Sequence, residues 1–194
     1  VDKGKYLAKQ AGLNDSQTND LNTLGTVINY NGYGTHVNDL TFHPADLFTQ
    51  LLTYPNPFDC IEHKQSPFHI LKDAFDADLA KAEQASILFE SDYLLASLMP
   101  DEPWSRRISG TYGNQLANNN PKRAHLVFTI ISNESYLVSL RAPIANRVGA
   151  GELCAQFSSG GGRAGAGGIN QLSQSGALLL CERVHNFYAK LDTR

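Results

Sequence analysis

Cysteine is scarce, and arginine is missing from more than half of the chain. The three cysteines, Cys60, Cys154 and Cys181, lie far apart with no CxxC spacing. An odd, dispersed set argues against a disulfide framework or a structural zinc site, and fits buried thiols in a reducing, cytoplasmic setting. Methionine occurs once and not at the start, the chain opening Val1-Asp2-Lys3. That opening points to a processed product or a piece cut from a longer protein. No stretch approaches the roughly 20 apolar residues of a membrane span. No basic segment followed by an apolar run marks a secretory signal, and no membrane partner is expected.

The arginine gap is the most informative absence. All eight arginines lie from Arg106 onward. Residues 1–103 carry 6 Lys against 15 acidic residues, whereas residues 104–194 carry 10 Lys and Arg against 4, within a total of −3. Arginine offers a planar fork of donors suited to phosphate and carboxylate, and lysine only a point charge. The basic part therefore faces anions, or else the two parts attract each other; charge alone leaves both readings open.

The acidic part reads as helical. Asp15 or Ser16 can cap a helix through Leu21, Leu24, Val27 and Ile28 that stops at Asn31-Gly32, followed by a turn in NYNGYG. Pro44 suits the first position of a short helix carrying Leu47, Phe48, Leu51 and Leu52, closed by Pro55 and Pro57. Phe75, Leu79, Ala82, Phe89, Tyr93 and Ala96 keep a 3–4 spacing that predicts one longer amphipathic helix. Met99-Pro100-Asp101-Glu102-Pro103 breaks that pattern and marks the expected domain boundary. In the basic part, Ala124–Ile131 and Tyr136–Leu140 read as strands joined at Ser132-Asn133-Glu134. Glu152–Phe157 reads as a short helix, and Ser173 as the cap of a final helix through Ala177, Leu180, Cys181, Val184, Tyr188 and Leu191. The expected fold class is α/β (α+β): a helical part over 1–103, then a small mixed-sheet domain with flanking helices over 104–194.

Nine of the sixteen glycines fall between Gly149 and Gly176. Glycine lets a ligand approach the backbone, and successive exposed N–H groups form a nest for an anion. The run SSGGGRAGAGG, residues 158–168, is thus either a flexible linker or an anion loop. Arg163 inside it, and the structured pattern that resumes after it, favour the anion loop. No Lys-Ser/Thr follows the glycines, so it is not a Walker loop, and no GxGxxG in a βαβ context marks a dinucleotide site. Arg141, at the end of the second strand, suits a ligand clamp or an ordinary surface ion pair.

Ser139-Leu140-Arg141, followed some twenty residues later by Gly160-Gly161-Gly162-Arg163-Ala164-Gly165-Ala166-Gly167-Gly168, resembles the substrate-binding C-terminal domain of DHH-family phosphoesterases. That domain pairs an SLR strand end with a GGGH loop. Gly113-Asn114-Gln115-Leu116-Ala117 is similar to the family's segment on the preceding helix, and the match spans about 90 residues. Leu24–Asn31 looks like the stretch after the last metal ligand of a DHH catalytic domain, where many relatives carry an Asp near Asn29. The order INYNGYG, WSRR, SLRAP and GGGRAG resembles a bacterial branch sometimes labelled acetyltransferase. The resemblance implies that Asn114, Ser139, Arg141, Gly160, Gly161, Gly162 and Arg163 hold a nucleotide or short oligonucleotide. Arg163 stands where the family usually has His; it keeps anion binding and loses any acid–base role at neutral pH.

The family hydrolyses phosphoesters with two divalent metals, usually manganese, held by Asp and His motifs that this sequence lacks. The expectation is a C-terminal piece that binds substrate, with no catalytic residue and no metal ligand of its own. Asp73, Asp76 and Asp78 read as a solvated helix face. His36, Asp39, His43 and Asp46 make only a loose group, interrupted by Pro44. A stand-alone RNA- or tRNA-binding module, as in alanyl-tRNA synthetases, is the second reading. A coenzyme A-dependent acyltransferase is a third, opposed by Ala166 where its pattern needs Gly. Trp104, Tyr112 and Phe157 are candidates for base stacking. Oligomeric state stays open, with a homodimer among the options.

Overall fold

The computed structural model describes residues 2–132 and 135–192. Two helices lead, α1 (Asp2–Gln10) and α2 (Asp15–Tyr30). Asn14 opens α2 with a capping box: its Oδ1 accepts the Gln17 N–H at 2.9 Å, and Gln17 Oε1 accepts the Asn14 N–H at 3.0 Å. The cap thus lies one residue ahead of the expected Asp15. Asn31 ends the helix as expected, and its buried amide then bonds both the N–H and the C=O of Phe42, at 2.9 and 3.0 Å. Those two bonds tie down the NYNGYG turn. Pro44 starts α3 (Pro44–Leu51), and α4 (Pro57–Glu62) and α5 (Pro67–Ala82) follow. Leu24, Val27, Leu47, Cys60, Phe68 and Leu71 form the core of this unit, with Tyr30 edge-on to Phe75.

The long helix expected over Phe75–Ala96 is not present. α5 stops at Ala82, and the chain continues as strands β1 (Ser86–Glu90) and β2 (Leu94–Met99). Short apolar runs carry the same spacing whether helix or strand, so periodicity alone could not separate them. Packing contacts divide the chain into two compact units after Ala77. The strands therefore belong to the second unit, and Met99–Pro103 is the turn that carries β2 into α6 (Pro103–Asn119).

The second unit is a mixed α/β layer structure. β3 (Ala124–Ser132) and β4 (Ser135–Arg141) match the expected strands; Asn133 and Glu134, the expected hairpin connection, lie outside the described residues. A short helix, α7 (Ala150–Cys154), replaces the expected Glu152–Phe157. β5 (Gly160–Arg163), β6 (Ala166–Ser173) and α8 (Gln174–Asp192) complete the chain. Ser173 Oγ accepts the Gly176 N–H at 3.2 Å, as its capping role requires. The strand order is β1-β2-β3-β4-β6-β5, with β2 and β3 parallel and all other neighbours antiparallel. α6 is the crossover that parallel pairing demands. The even-numbered residues of β3, Leu126 and Phe128, join Leu153, Cys154, Leu180, Cys181 and Val184 of α7 and α8 in the main core. The odd-numbered face lies toward α6, where Val127 sits beside Gly113.

The expected glycine loop is a strand. Gly160–Arg163 pairs with β6 at the sheet edge, and α7 presses on the resulting hairpin. A Cβ on Gly160 would sit 1.9 Å from the Cys154 carbonyl oxygen, one on Gly151 2.6 Å from the Gly162 carbonyl carbon, and one on Gly167 2.6 Å from the Ala150 oxygen. The glycines are there so that helix and hairpin backbones can meet, the close-approach use of glycine in a strand.

Candidate functional site

Sheet register brings the two motif arginines together. Arg141 ends β4 opposite Ala166 of β6, and Ala166 is opposite Arg163 of β5. Residues paired across a sheet share a face, and strands lie about 4.7–4.9 Å apart, so the two arginine Cα atoms are roughly 10 Å apart on one face. The same row continues to His125 of β3 on the other side of Arg141.

Arg141 lies across α6, over two glycines one turn apart. A Cβ on Gly110 or on Gly113 would stand 3.4 Å from the Arg141 side chain, at ordinary contact distance, so the side chain packs directly on this face of α6. Its Nε donates to Asn114 Oδ1 at 2.6 Å, Nη1 to Ser139 Oγ at 2.8 Å and to the Leu140 carbonyl at 3.1 Å, and Nη2 to the Gly110 carbonyl at 2.9 Å. These four acceptors, none of them charged, fix the guanidinium. Asn114, Ser139 and Arg141 thus come together in one hydrogen-bonded group.

Beside this cluster opens a cleft of about 550 Å³. Asn114 and Asn118 of α6, Arg141, Arg147, Arg163 and the β5–β6 turn Ala164-Gly165-Ala166 line it, and no acidic residue does. Arg147 and Arg163 are exposed, and among the described residues neither side chain has a hydrogen bond or ion pair. Gly160, Gly161 and Gly162 stand outside the lining. The backbone that faces the cleft is the turn just after Arg163. Arg147 is a residue that the sequence reading missed. A signal was available, since it follows Arg141 in a stretch, residues 135–151, without a single acid.

His125 is fully buried next to Arg141 in the row. Burial, aided by nearby Arg123, pushes its pKa down to about 4 against a weaker opposing effect of the Asn120 carbonyl, so it is neutral at pH 7. Its Nδ1 has no partner and its Nε2 lies 3.5 Å from the Asn120 oxygen. It adds neither charge nor an available proton to the cleft.

Other expected residues have structural work elsewhere. Trp104 and Tyr112 are buried on the inner side of α6, not exposed as stacking platforms, and burial raises the Tyr112 pKa. Phe157 carries the Arg183 guanidinium 5.5 Å above its ring and does not line the cleft. Asp76 is exposed and pairs with Lys72, as a solvated helix face predicts. Asp78 departs from that expectation: it is 3% exposed and bidentate to Arg107, at 2.8 and 3.1 Å. Asp39 Oδ2 accepts the N–H groups of Thr35 and His36, and His43 Nδ1 accepts the Ala45 N–H; these are turn and cap roles. Among the described residues no three His, Cys, Asp or Glu side chains are grouped to hold a metal, and no helix is long and apolar enough to cross a membrane.

Fold and cleft define a mixed α/β protein with an arginine-lined cleft that no acidic residue lines. No protein-family model matches the chain, and no curated protein matches it in sequence. Among solved structures it is similar to a pGpG-specific phosphodiesterase, PggH, from Vibrio cholerae, with a TM-score of 0.52 at 12% identity. The likeness covers 77% of this chain and 52% of that enzyme, so the chain spans about half the length of the protein it matches. At that identity the shared property is the fold.

Proposed function

We propose that the cleft binds the phosphate groups of a nucleotide or short oligonucleotide, and that the chain is the substrate-binding part of a DHH-type phosphohydrolase. The observation that carries this reading is the row Arg141–Ala166–Arg163, opening on a cleft that holds three arginines and no acid. Arginine forks bind phosphate through paired, charge-assisted hydrogen bonds. Support comes from the motif resemblance around Arg141 and Arg163, and from the fold shared with an enzyme whose name specifies a dinucleotide substrate.

Arg141 is pre-organised by Asn114, Ser139 and Gly110, so little of its freedom is lost when phosphate arrives. Arg163 and Arg147, both exposed at the cleft, are the further partners for the ligand. Metal ions, manganese in the DHH family, would supply the hydroxide that cleaves the ester. Among the described residues no three His, Cys, Asp or Glu side chains are grouped to hold a metal, and Asp39 Oδ2 and His43 Nδ1 accept backbone N–H groups. The contribution of this chain is to hold and orient the phosphate.

Titration of the chain with pGpG by calorimetry tests the reading. Binding is expected, and Arg163→Ala should weaken it by about 1.5–3 kcal/mol, the scale of a hydrogen bond to a charged group. Unchanged affinity would remove Arg163 from the site. Preference for long RNA over pGpG, with a steep salt dependence, would favour the RNA-binding module instead.

A further inference from the structure

We propose that the groove between α7 and α8 is a second binding site, built for a small carboxylate with an apolar tail, such as a medium-chain fatty acid. It lies among the helices on the α8 side of the sheet and shares no lining residue with the arginine-lined cleft. It therefore stands or falls apart from the proposed phosphate binding.

The groove follows from helical spacing. Arg183, Phe187, Lys190 and Leu191 fall at i, i+4, i+7 and i+8 of α8, so cations alternate with apolar side chains along one stripe. Leu153 of α7, almost fully buried, forms the facing apolar wall, and Gln156 follows at the end of that helix. Between them lies a cavity of about 440 Å³. Pockets of that size, apolar with a few polar groups to fix orientation, take small molecules.

Wall and cation are both held in place before a ligand arrives. Gly149 has a φ of 83°, and a Cβ there would stand 2.3 Å from the Phe187 ring, so the ring rests directly on backbone. Phe187 also meets Tyr188 edge-on at 5.1 Å, and the Tyr188 hydroxyl donates to the Val148 carbonyl at 2.8 Å. Arg183 is half-buried. Its Nη1 donates to Gln156 Oε1 at 2.6 Å, and its guanidinium lies 5.5 Å over the Phe157 ring. Both partners are neutral, and among the described residues no acid lines the groove.

The ligand class follows from what these groups leave open. A guanidinium has five N–H donors, and a single neutral acceptor leaves most of them for an anion. A carboxylate takes two of them as a fork. An apolar tail then covers Leu153, Phe187 and Leu191 and removes their surface from water. A bare phosphate would satisfy the cation and leave all three apolar walls wet, whereas an uncharged alkyl chain would do the reverse.

The test is calorimetric titration of the full chain with octanoate, and with 1-octanol and acetate as controls. Octanoate is expected to bind as a single molecule per chain, on the order of tenfold tighter than either control. Arg183→Gln should weaken octanoate on the order of tenfold and leave octanol unchanged, and Arg183→Lys, which keeps the charge but not the fork, should retain part of the affinity. Thermal melts check that each variant is folded; if Arg183→Gln is not, the three ligands on wild type still decide. Octanol as tight as octanoate removes the cation from the site, acetate as tight removes the tail, and an unchanged affinity in folded Arg183→Gln removes Arg183; each overturns the proposal. Titration with pGpG in saturating octanoate should give the same affinity as without it. Competition between the two would put octanoate in the arginine-lined cleft and sink the second site, while phosphate binding by that cleft would stand.

Discussion

Replacing Gly160 and Gly161 with alanine, one at a time, separates two accounts of the glycine run. In a flexible loop the neighbours are equivalent. In the strand seen here they are not. A Cβ on Gly160 would meet the Cys154 carbonyl oxygen at 1.9 Å, and a second backbone atom of Cys154 at 2.6 Å, whereas one on Gly161 meets nothing within 4 Å. Ordinary contact requires about 3.4 Å, so Gly160→Ala must push α7 and β5 apart by about 1.5 Å, working from the 1.9 Å approach. Cys154 cannot yield easily, because it is fully buried in the main core. Overpacking of this kind costs about 1–3 kcal/mol. For a unit of this size that lowers the melting temperature by roughly 2–8 °C per kcal/mol. Gly161→Ala should be neutral or stabilising by up to about 1 kcal/mol, because alanine restricts the unfolded chain. Circular dichroism melts of the two variants decide the matter. Melting temperatures within about 1 °C of each other would refute the close packing of α7 on the hairpin.

Three further outcomes are expected. Asp78→Ala leaves the half-buried Arg107 without its bidentate carboxylate, and should cost about 2–3 kcal/mol in urea denaturation, less than for a fully buried pair; Asp76→Ala, in an exposed pair, should change stability by less than about 1 kcal/mol. His125, held neutral down to about pH 4, is protonated in the unfolded chain below about 6.5. The unfolded state then binds more protons between those values, so acidification lowers stability, by about 2 kcal/mol at pH 5. The His125→Gln variant should lose that share of the pH dependence, and identical slopes for both proteins would count against a neutral buried imidazole. Burial pushes the Cys154 and Cys181 thiols up to about 11, so a thiol reagent at pH 8 should label them only after denaturation; rapid labelling of the native protein would contradict the core assignment.

Local chemistry was legible in the sequence, and relative placement was not. Pro44 and Ser173 announced helix starts because proline at the first position and serine at the cap act through their own backbone neighbourhood. Ala124–Ile131 announced a strand because β-branched and aromatic residues crowd it. The hairpin of β1 and β2 was hidden because SILFE and LLASLM repeat apolar residues at a spacing that a helix also uses. Glycine composition could not show which backbone would lie against Gly160, since Cys154 reaches it only through the packing of α7. The Arg141–Arg163 pairing was legible only as a motif; the register that places both on one face belongs to the folded sheet. Arg147 belonged to no motif, and its significance comes from the cleft wall on which it stands.

The uneven distribution of arginine is open to two readings, anion binding and attraction to the acidic stretch, and three of the eight arginines pair with acids of that stretch. Arg106 pairs with Asp101, Arg107 with Asp78 and Arg123 with Glu90, each joining the basic stretch to an acid that precedes residue 104 in sequence. All of those acids lie in the second compact unit, on the end of α5, on β1 or in the turn before α6. The attraction is therefore internal to one unit: it fastens the β1–β2 side of the sheet and α6 to the rest. Arg141, Arg147 and Arg163 sit at the other side of the sheet, where no acid lines the cleft they share. Had charge pairing been the whole purpose, acids would be expected to line that cleft too, because like charges in one cleft repel. A ligand of opposite charge relieves that repulsion. Acids stand around Arg106, Arg107 and Arg123, and none lines the cleft of Arg141, Arg147 and Arg163; on the proposed function the first three fasten and the other three bind.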